Sequence, residues 1–232
     1  MSGRKIAIIG AAYPMSDTER LKKLRGYELW SMNNLFEAFP DIKFTRWFEL
    51  HHFTRKGSRY IRRGQDYYNR YPTIKEYLQA INDLDIPVFM RKPLAPVKKS
   101  IKFPFWKIMQ AFHTEYFGCS FAWMLALALY EHMHGAYVDE ITLAGVSLEV
   151  YEYYFQRPST EFFVGMAMGM GIKVKIYNTC NLLRAPWIYA YKENFDCIDT
   201  LYVNTVKHLL TMASIPMQNF FESMYYDNDN PI

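Results

Sequence analysis

The sequence predicts an α/β protein with a mostly parallel sheet covered by helices on both faces. Short β-branched or apolar runs recur along the chain and end at a glycine or a polar residue, as buried parallel strands do. Segments with helical spacing separate these runs at short intervals. Strands that alternate with helices favour a parallel sheet that is wrapped on both sides.

The first predicted strand, residues 5–9, is a β-branched run that stops at Gly10. The same pattern returns at later positions, where a short apolar run again ends at a small, polar or basic residue. These further predicted strands are 28–32, 45–50, 86–90, 139–144 and 173–177.

Helices are predicted between the strands. The apolar residues of 74–84 recur at helical spacing, and 121–134 is apolar nearly all round, which is typical of a buried helix. A helix rich in Gly and Met is predicted at 160–170, and a helix cap at 16–19. Prolines instead predict a loop or flap over 91–115. They are Pro87, Pro93, Pro96 and Pro104.

Together these elements make up one Rossmann-like domain of three layers, which we expect to span residues 1–183. Residues 184–232 lose the alternation of strands and helices, and they predict a partly helical C-terminal extension with one helix at 203–212. We expect this extension to pack on the domain or to contact a partner.

Composition supports a packed core and excludes wholesale disorder, because 50% of the 232 residues are hydrophobic and only 22% are charged. The net charge of +4 is too small to indicate nucleic-acid binding on its own. The 3 cysteines are widely spaced and offer neither a disulfide framework nor a metal-binding pair. This cysteine usage suits a reducing cytosol.

The N-terminus enters the first predicted strand directly, with no apolar signal region followed by a cleavage site. The longest apolar run, 121–130, is far too short to span a bilayer. We therefore expect a soluble cytoplasmic protein without a membrane partner. The sequence leaves the oligomeric state open, homo-oligomers included.

The residues that follow the predicted strands indicate where a ligand would bind. In open α/β sheets, ligands bind beyond the carboxyl ends of the strands, where the connecting loops meet. Small, amide, imidazole and cationic groups follow these strands, namely Gly10, Asn33, Asn34, His51, His52, Arg91, Lys92, Gly145, Ser147 and Asn178. The alternative is that polar residues follow every strand simply because loops are exposed.

Two basic stretches favour an anionic ligand. Residues 53–65 carry five cations and no acid, and 86–114 carry six cations and no acid. Arginine suits bidentate phosphate contacts and lysine supplies a mobile charge. The candidate phosphate contacts are Arg55, Arg59, Arg91 and Lys92. The alternative is a solvated basic face; a nucleic-acid groove is disfavoured because the other loops and the tail carry acids freely.

Two turns of small residues are further candidates for phosphate binding. Gly10 begins the turn after the first strand, and Gly118 and Ser120 flank the start of a buried helix, whose first amides can hold an anion. The first turn is neither a GxGxxG fingerprint nor a P-loop. Cys119 lies at the same helix start, so it is either a nucleophile or a small packing residue.

Glu49 and His51 are the candidate catalytic residues. Strand alternation puts both on one face, where they form either an acid–base or orienting pair, or a structural pair. His132 and His134 are two residues apart on a predicted helix, so they do not share a face. We predict no zinc site and no other metal.

Four segments carry a resemblance to a known family: KIAIIGAAYPMS, ELWSMNNLF, RWFELHH and FGCSFAWMLALAL with the later DEITLAGVSLEVYEYYFQRP. Their order resembles a Rossmann-like family found in tailed bacteriophages. That family is similar to single-domain bacterial sialyltransferases, which use a CMP-sugar donor. It is also similar to MptE-like 6-hydroxymethylpterin diphosphokinases and the related domain of motility accessory factors. The resemblance covers roughly residues 4–183.

The resemblance implies nucleotide contacts at the strand ends and the helix start, from Gly10, Asn33, Gly118, Ser120 and Gly145. By their position after strands, Asn34 and Ser147 join these candidates, although an aspartate is common in the family where Ser147 stands. His51 is the nearest match to the general base of the sialyltransferases.

Three functions are compatible with this pattern. The first is a transferase that binds a nucleotide or nucleotide-sugar and passes a glycosyl or phosphoryl group to an acceptor, with His51 or Glu49 as base. The second is a non-catalytic protein that sequesters a nucleotide, such as a host immune signal. The third is a virion or assembly protein that reuses the fold. The expected partner is a phosphorylated small molecule, in the host cytoplasm if the protein is viral.

Overall fold

A computed structural model describes residues 3–12, 21–56, 59–63, 73–148, 155–177, 180 and 182–184. The chain divides into two compact units, Met1–Leu182 and Leu183–Ile232. Nearly all described residues belong to the first unit. The predicted cap at 16–19, the predicted helix at 203–212 and Asn178 lie outside the described residues.

The first unit is built on a seven-stranded sheet in which every pair of neighbouring strands is parallel. The order across the sheet is β7-β6-β3-β2-β1-β8-β9. Its strands are β1 (Arg4–Ile9), β2 (Tyr27–Met32), β3 (Arg46–Glu49), β6 (Val88–Met90), β7 (Ser100–Lys102), β8 (Val138–Ala144) and β9 (Lys173–Ile176). This confirms the predicted Rossmann-like α/β class.

An antiparallel hairpin, β4 (His52–Lys56) and β5 (Arg59–Arg63), forms a separate two-stranded sheet directly after β3. The described helices are α1 (Ile74–Asp83), α2 (Phe105–Phe112), α3 (Ser120–Met133) and α4 (Arg157–Gly169), with a 3-10 turn at Leu35–Glu37. No described helix has the length and apolar character that crossing a membrane requires.

Two hydrophobic cores lie on opposite faces of the sheet, because successive side chains of a strand point to opposite sides. In β1, Ile6 and Ile8 belong to the core that includes α2, α3 and α4. Ala7 and Ile9 belong to the other core, which includes α1. The unit therefore has three layers, with the sheet in the middle.

The predicted loop over 91–115 is wrong in its second half, which contains β7 and α2. The prolines misled the prediction: Pro104 is the N-cap residue of α2, where proline is tolerated because the first helical amides have no partner within the helix. The helix predicted from Thr160 likewise begins earlier, at Arg157, with a proline in its first turn.

At the amino ends of the strands, two arginines and two glutamates tie three strands to α3. Arg4 Nε lies 2.5 Å from Glu28 Oε1, and Arg4 Nη1 lies 2.7 Å from Glu131 Oε2. Arg46 Nη1 lies 2.6 Å from Glu131 Oε1. Burial alone would raise the pKa of Glu28, but hydrogen bonds and charge from Arg4, with Arg46, outweigh it and hold that pKa below its usual value.

On the other face of the sheet, Tyr27 and Lys175 both contact the nearly buried carboxylate of Glu140. The Tyr27 hydroxyl donates to Glu140 Oε1, and Lys175 Nζ lies 2.6 Å from the same oxygen. Burial would raise the pKa of Glu140, but these two donors and the nearby lysine charges hold it below its usual value. This tie joins β2, β8 and β9 away from the carboxyl edge.

Candidate functional site

The topology brings the ends of β3, β2, β1 and β8 side by side at the carboxyl edge of the sheet. His51, Asn33, Gly10 and Gly145 follow these strands, so they come to one rim. Neighbouring strands lie about 4.8 Å apart, so the rim spans roughly 15 Å. Backbone hydrogen bonds link its members: Gly10 donates to Ala144 O at 2.8 Å.

The strand order reverses between β1 and β8. From β1 the chain moves outward through β2, β3, β6 and β7, and it then returns to β8 on the opposite side of β1. In open α/β sheets, ligands bind in the crevice at such a switch point. The turns at Gly10 and Gly145 form this point.

Gly10 is required by the close approach of these two turns. A Cβ atom built on Gly10 would lie 2.4 Å from Gly145 O and 3.0 Å from Phe121 Cζ, and a backbone carbonyl cannot swing away. Gly145 itself has φ +69, a conformation that other L-residues rarely adopt. Ala12 N closes the contact by donating to Gly145 O at 2.9 Å. Phe121 belongs to the first turn of α3, and the end of its ring lies beside the same point.

Asn33 has an unusual environment for a polar residue. Its φ is +56, and its carbonyl accepts a hydrogen bond from Trp47 Nε1 at 3.0 Å, which fixes the turn after β2. Its side-chain oxygen Oδ1 is buried and finds no hydrogen-bond donor within the described part of the chain. Buried acceptors normally have a donor. The neighbouring Asn34 precedes the 3-10 turn and makes no side-chain cap.

The start of α3 has no side-chain cap, because its N-cap residue Cys119 makes no hydrogen bond to the helix amides. The first helical residue is Ser120. Helix α1, in contrast, begins with a complete capping box between Thr73 and Glu76. Uncapped amides at a helix start are suited to an anionic ligand.

Gly118 is engaged with α4. Its amide donates to Ser159 Oγ at 2.9 Å, and a Cβ atom there would lie 3.0 Å from Phe155 O. Cys119 Sγ lies 3.2 Å from Thr160 Oγ1. Both residues of this turn therefore pack on α4. Because the Gly118 amide already donates to Ser159, it does not belong to the candidate anion donors.

Ser147 lies on the loop that continues from Gly145 and is partly exposed. The preceding Val146 is buried, and its amide donates to Cys180 Sγ at 3.3 Å. This contact anchors the loop beside the switch point.

Glu49 and His51 are in hydrogen-bond contact, as strand alternation predicts. His51 Nδ1 lies 2.5 Å from Glu49 Oε1, and the His51 amide donates to the same oxygen at 3.2 Å. The Tyr77 hydroxyl donates to Glu49 Oε2. The Glu49 side chain is 0% exposed and that of His51 is 34% exposed, so a buried carboxylate holds a histidine that reaches the surface.

Tyr77 was missed by sequence reasoning because its spacing on α1 predicts only a core residue. Its side chain is 0% exposed and lies in the hydrophobic core between the sheet and α1. The contact with Glu49 joins residues 28 positions apart, and no local pattern reveals it.

The predicted basic residues divide into two groups. Arg91 and Lys92 are exposed and follow β6, whose last residue Met90 pairs with Glu49. Neither cation forms an ion pair within the described residues. Arg55 lies in β4 and Arg59 in β5, where the backbone alone is described. The hairpin begins one residue after His51, so its chain leaves the sheet at the rim.

The histidines of α3 lie at the other end of that helix. His132 Nδ1 accepts from the Val138 amide at 3.0 Å, and His134 Nδ1 lies 2.7 Å from Tyr130 O. Over the described ranges, no group of three or more His, Cys, Asp or Glu side chains could hold a metal ion.

The fold and the rim define an α/β protein with an open parallel sheet whose strand order reverses between β1 and β8. No family model, no curated protein and no solved structure matches the chain. The resemblance to the phage family and to the sialyltransferases therefore stays a prediction.

Proposed function

We propose that the chain binds a nucleotide or nucleotide-linked donor at the rim and transfers a glycosyl or phosphoryl group to an acceptor hydroxyl. The observation that carries the proposal is the buried Glu49 carboxylate on His51 at the edge that also bears the Gly10–Gly145 switch point. A glutamate-held histidine is a common form of general base. The adjoining switch point is the usual ligand crevice of this fold class.

Anion binding is assigned to the first amides of α3 and to basic side chains at the edge. The uncapped start of α3 at Ser120 reaches the switch point through Phe121. Arg91 and Lys92 directly follow β6, the strand next to β3, on the side of His51 away from the switch point. Asn33 Oδ1 is an acceptor suited to a ligand hydroxyl or amino group.

In the transfer step, His51 Nε2 takes the proton of the acceptor hydroxyl. The acceptor oxygen forms a bond to the anomeric carbon or the phosphorus of the donor. The bond from that atom to the nucleotide oxygen breaks, and its electron pair leaves with the nucleotide. The proton on His51 then passes to the leaving phosphate or to solvent, which restores the neutral base.

Isothermal titration with CMP, CMP-sugars and nucleoside diphosphates tests the binding part. For turnover, His51→Ala is expected to lower the rate about 100-fold or more while nucleotide affinity stays within about twofold, since general bases contribute roughly 10²–10⁴. His134→Ala, at the far end of α3, is the matched control and should leave both unchanged.

The outcomes separate the candidate functions. Tight nucleotide binding without product, in the wild type and in His51→Ala alike, would favour a sequestering protein of the kind that captures a signalling nucleotide. Ser147 supports that alternative, because an aspartate is common at this position in the family that the sequence resembles. No binding of any nucleotide, together with self-assembly, would favour a virion or assembly role.

A further inference from the structure

Both oxygens of the Glu49 carboxylate are engaged at the rim. Oε1 contacts two nitrogens of His51: it accepts from the backbone amide at 3.2 Å and lies 2.5 Å from the ring Nδ1. Oε2 accepts from the Tyr77 hydroxyl. The Glu49 and Tyr77 side chains are fully buried, so this arrangement is shielded from water.

The chemistry of these groups fixes where the histidine hydrogen lies. Oε1 accepts from the His51 amide and Oε2 from the Tyr77 hydroxyl, as the oxygens of an ionised carboxylate do. Such a carboxylate only accepts, so Nδ1 of His51 carries the hydrogen. In the neutral ring the other nitrogen, Nε2, then has a free lone pair and acts as an acceptor. The His51 side chain is 34% exposed, so the ring is partly open to a ligand.

Tyr77 holds the second oxygen of the Glu49 carboxylate, Oε2. It lies in the first turn of α1, which the Thr73–Glu76 capping box holds at the N-terminus. Its hydroxyl occupies Oε2 and so leaves Oε1 for His51. Without this donor the buried Oε2 would lose a hydrogen bond from a fixed position, and the carboxylate could rotate away from Nδ1 of His51.

We propose that Tyr77 is a positioning residue that, through Glu49, fixes His51 as the Nδ1–H tautomer with Nε2 as proton acceptor. The proposal rests on the proposed function, and it deepens that function by naming the residue that sets the tautomer of its base. The acceptor must be a proton donor, such as a sugar, nucleoside or serine hydroxyl, and not a carboxylate. A buried glutamate is costly, and an apolar residue would pack as well, which favours a role beyond stability.

The test is nitrogen-15 NMR of the histidine rings in the full chain without ligand, with His51 assigned by His51→Gln. At a pH where His51 is neutral, the wild type should show protonated Nδ1 and bare Nε2. In Tyr77→Phe, the ratio of the Nδ1–H to the Nε2–H tautomer should fall about tenfold or more, since a hydrogen bond to a charged group is lost.

Tyr27→Phe is the matched control, because Tyr27 also donates its hydroxyl to a glutamate, Glu140, but away from the rim. It should leave the His51 nitrogen shifts unchanged. If Tyr77→Phe does not fold, carbon-13-labelled tyrosine in His51→Gln gives the same information. The Tyr77 ring resonance should then move, because the carboxylate that accepts from its hydroxyl loses its contact with the His51 ring.

Either of two results would overturn the proposal: a wild-type His51 in the Nε2–H form, or His51 shifts unchanged in folded Tyr77→Phe. For the labelled-tyrosine route, an unmoved Tyr77 resonance has the same meaning. These readouts need no substrate. A chain that shows the expected tautomer but binds no nucleotide therefore refutes the proposed function and leaves the positioning role standing.

Discussion

At the scale of single residues, two glycines set how closely the turns after β1 and β8 approach. Gly145 supplies a backbone conformation with φ +69, and Gly10 leaves room for the Gly145 carbonyl. Neither requirement depends on a ligand. The switch point is therefore shaped by backbone contact before any side chain contributes.

Gly10→Ala is expected to lower the free energy of unfolding by about 1–3 kcal/mol, because the added methyl group meets a backbone carbonyl and overpacks the crevice. Gly165→Ala is the matched control. Gly165 is an exposed position of α4, and a Cβ atom there meets nothing within 4 Å. This change should therefore stabilise the protein by about 0.5–1 kcal/mol. Urea denaturation measures both, and equal effects of the same sign would contradict the account.

Glu28→Gln should destabilise the protein by about 1–3 kcal/mol at neutral pH, since Arg4 and Arg46 lose a charged partner. The folded-state pKa of Glu28 is depressed, so its contribution is present above the unfolded pKa and is lost as pH falls through the folded value. The difference between variant and wild type should therefore shrink under strongly acidic conditions.

Chemical denaturation across the acid range measures this difference. Asp85→Asn is the control, since Asp85 pairs with Lys99 at 2.9 Å and its side chain is 84% exposed. Exposed pairs of this kind contribute only about 0.2–1 kcal/mol. A Glu28 effect that stays constant with pH would show that packing, not charge, dominates.

At the scale of elements, the sequence predicts best where burial is complete. β1 and β8 lie between helices on both faces and are apolar runs, so both could be located. The β4–β5 hairpin was missed because its strands carry five cations and no continuous apolar run. β7 was missed for a related reason: Ser100–Lys102 is an edge strand between lysines, and edge strands are commonly short and charged.

The candidate site was predictable to the extent that it depends on local periodicity. Alternation by two residues puts Glu49 and His51 on one side of β3, and this contact is present. Tyr77 and the engagement of Gly118 with Ser159 depend on packing between distant elements. Such contacts follow from how helices settle on the sheet, which spacing along the chain does not encode.

The start of α1 provides a prediction at this scale. Thr73→Ala removes the hydroxyl that accepts from the Glu76 amide, and it should cost about 1 kcal/mol of stability. Glu76→Gln should cost much less, because glutamine can also reach back to the Thr73 amide. Thermal and urea unfolding distinguish the two; a larger loss for Glu76→Gln would mean that charge, not capping, holds this helix start.

At the scale of the whole molecule, the two edges of the sheet differ in their charged groups. The candidate binding groups lie at the carboxyl edge, and a network of ion pairs lies at the amino edge. The carboxyl edge bears Arg91 and Lys92, exposed and without ion pairs among described residues. The amino edge carries the Arg4, Glu28, Arg46 and Glu131 network, in which each charge is matched. This contrast supports the proposed binding of an anion at the carboxyl edge.

Arg91→Gln is expected to weaken binding of a nucleoside diphosphate about tenfold, because a charge-assisted contact to phosphate is lost. Lys98→Gln is the matched control, since Lys98 precedes β7 at the opposite edge of the sheet. Titration calorimetry at constant ionic strength compares them. A similar loss in both variants would indicate that net charge alone attracts the ligand.

The reversal of strand order has a consequence for how the chain acquires its shape during synthesis. β1 is made before the strands that follow it, yet one of its two neighbours, β8, begins only at Val138. Until synthesis reaches β8, one flank of β1 lacks its partner. Pairing across such a long stretch is slow. Until then β1 has an unpaired edge, and such an edge is a template for pairing with another chain.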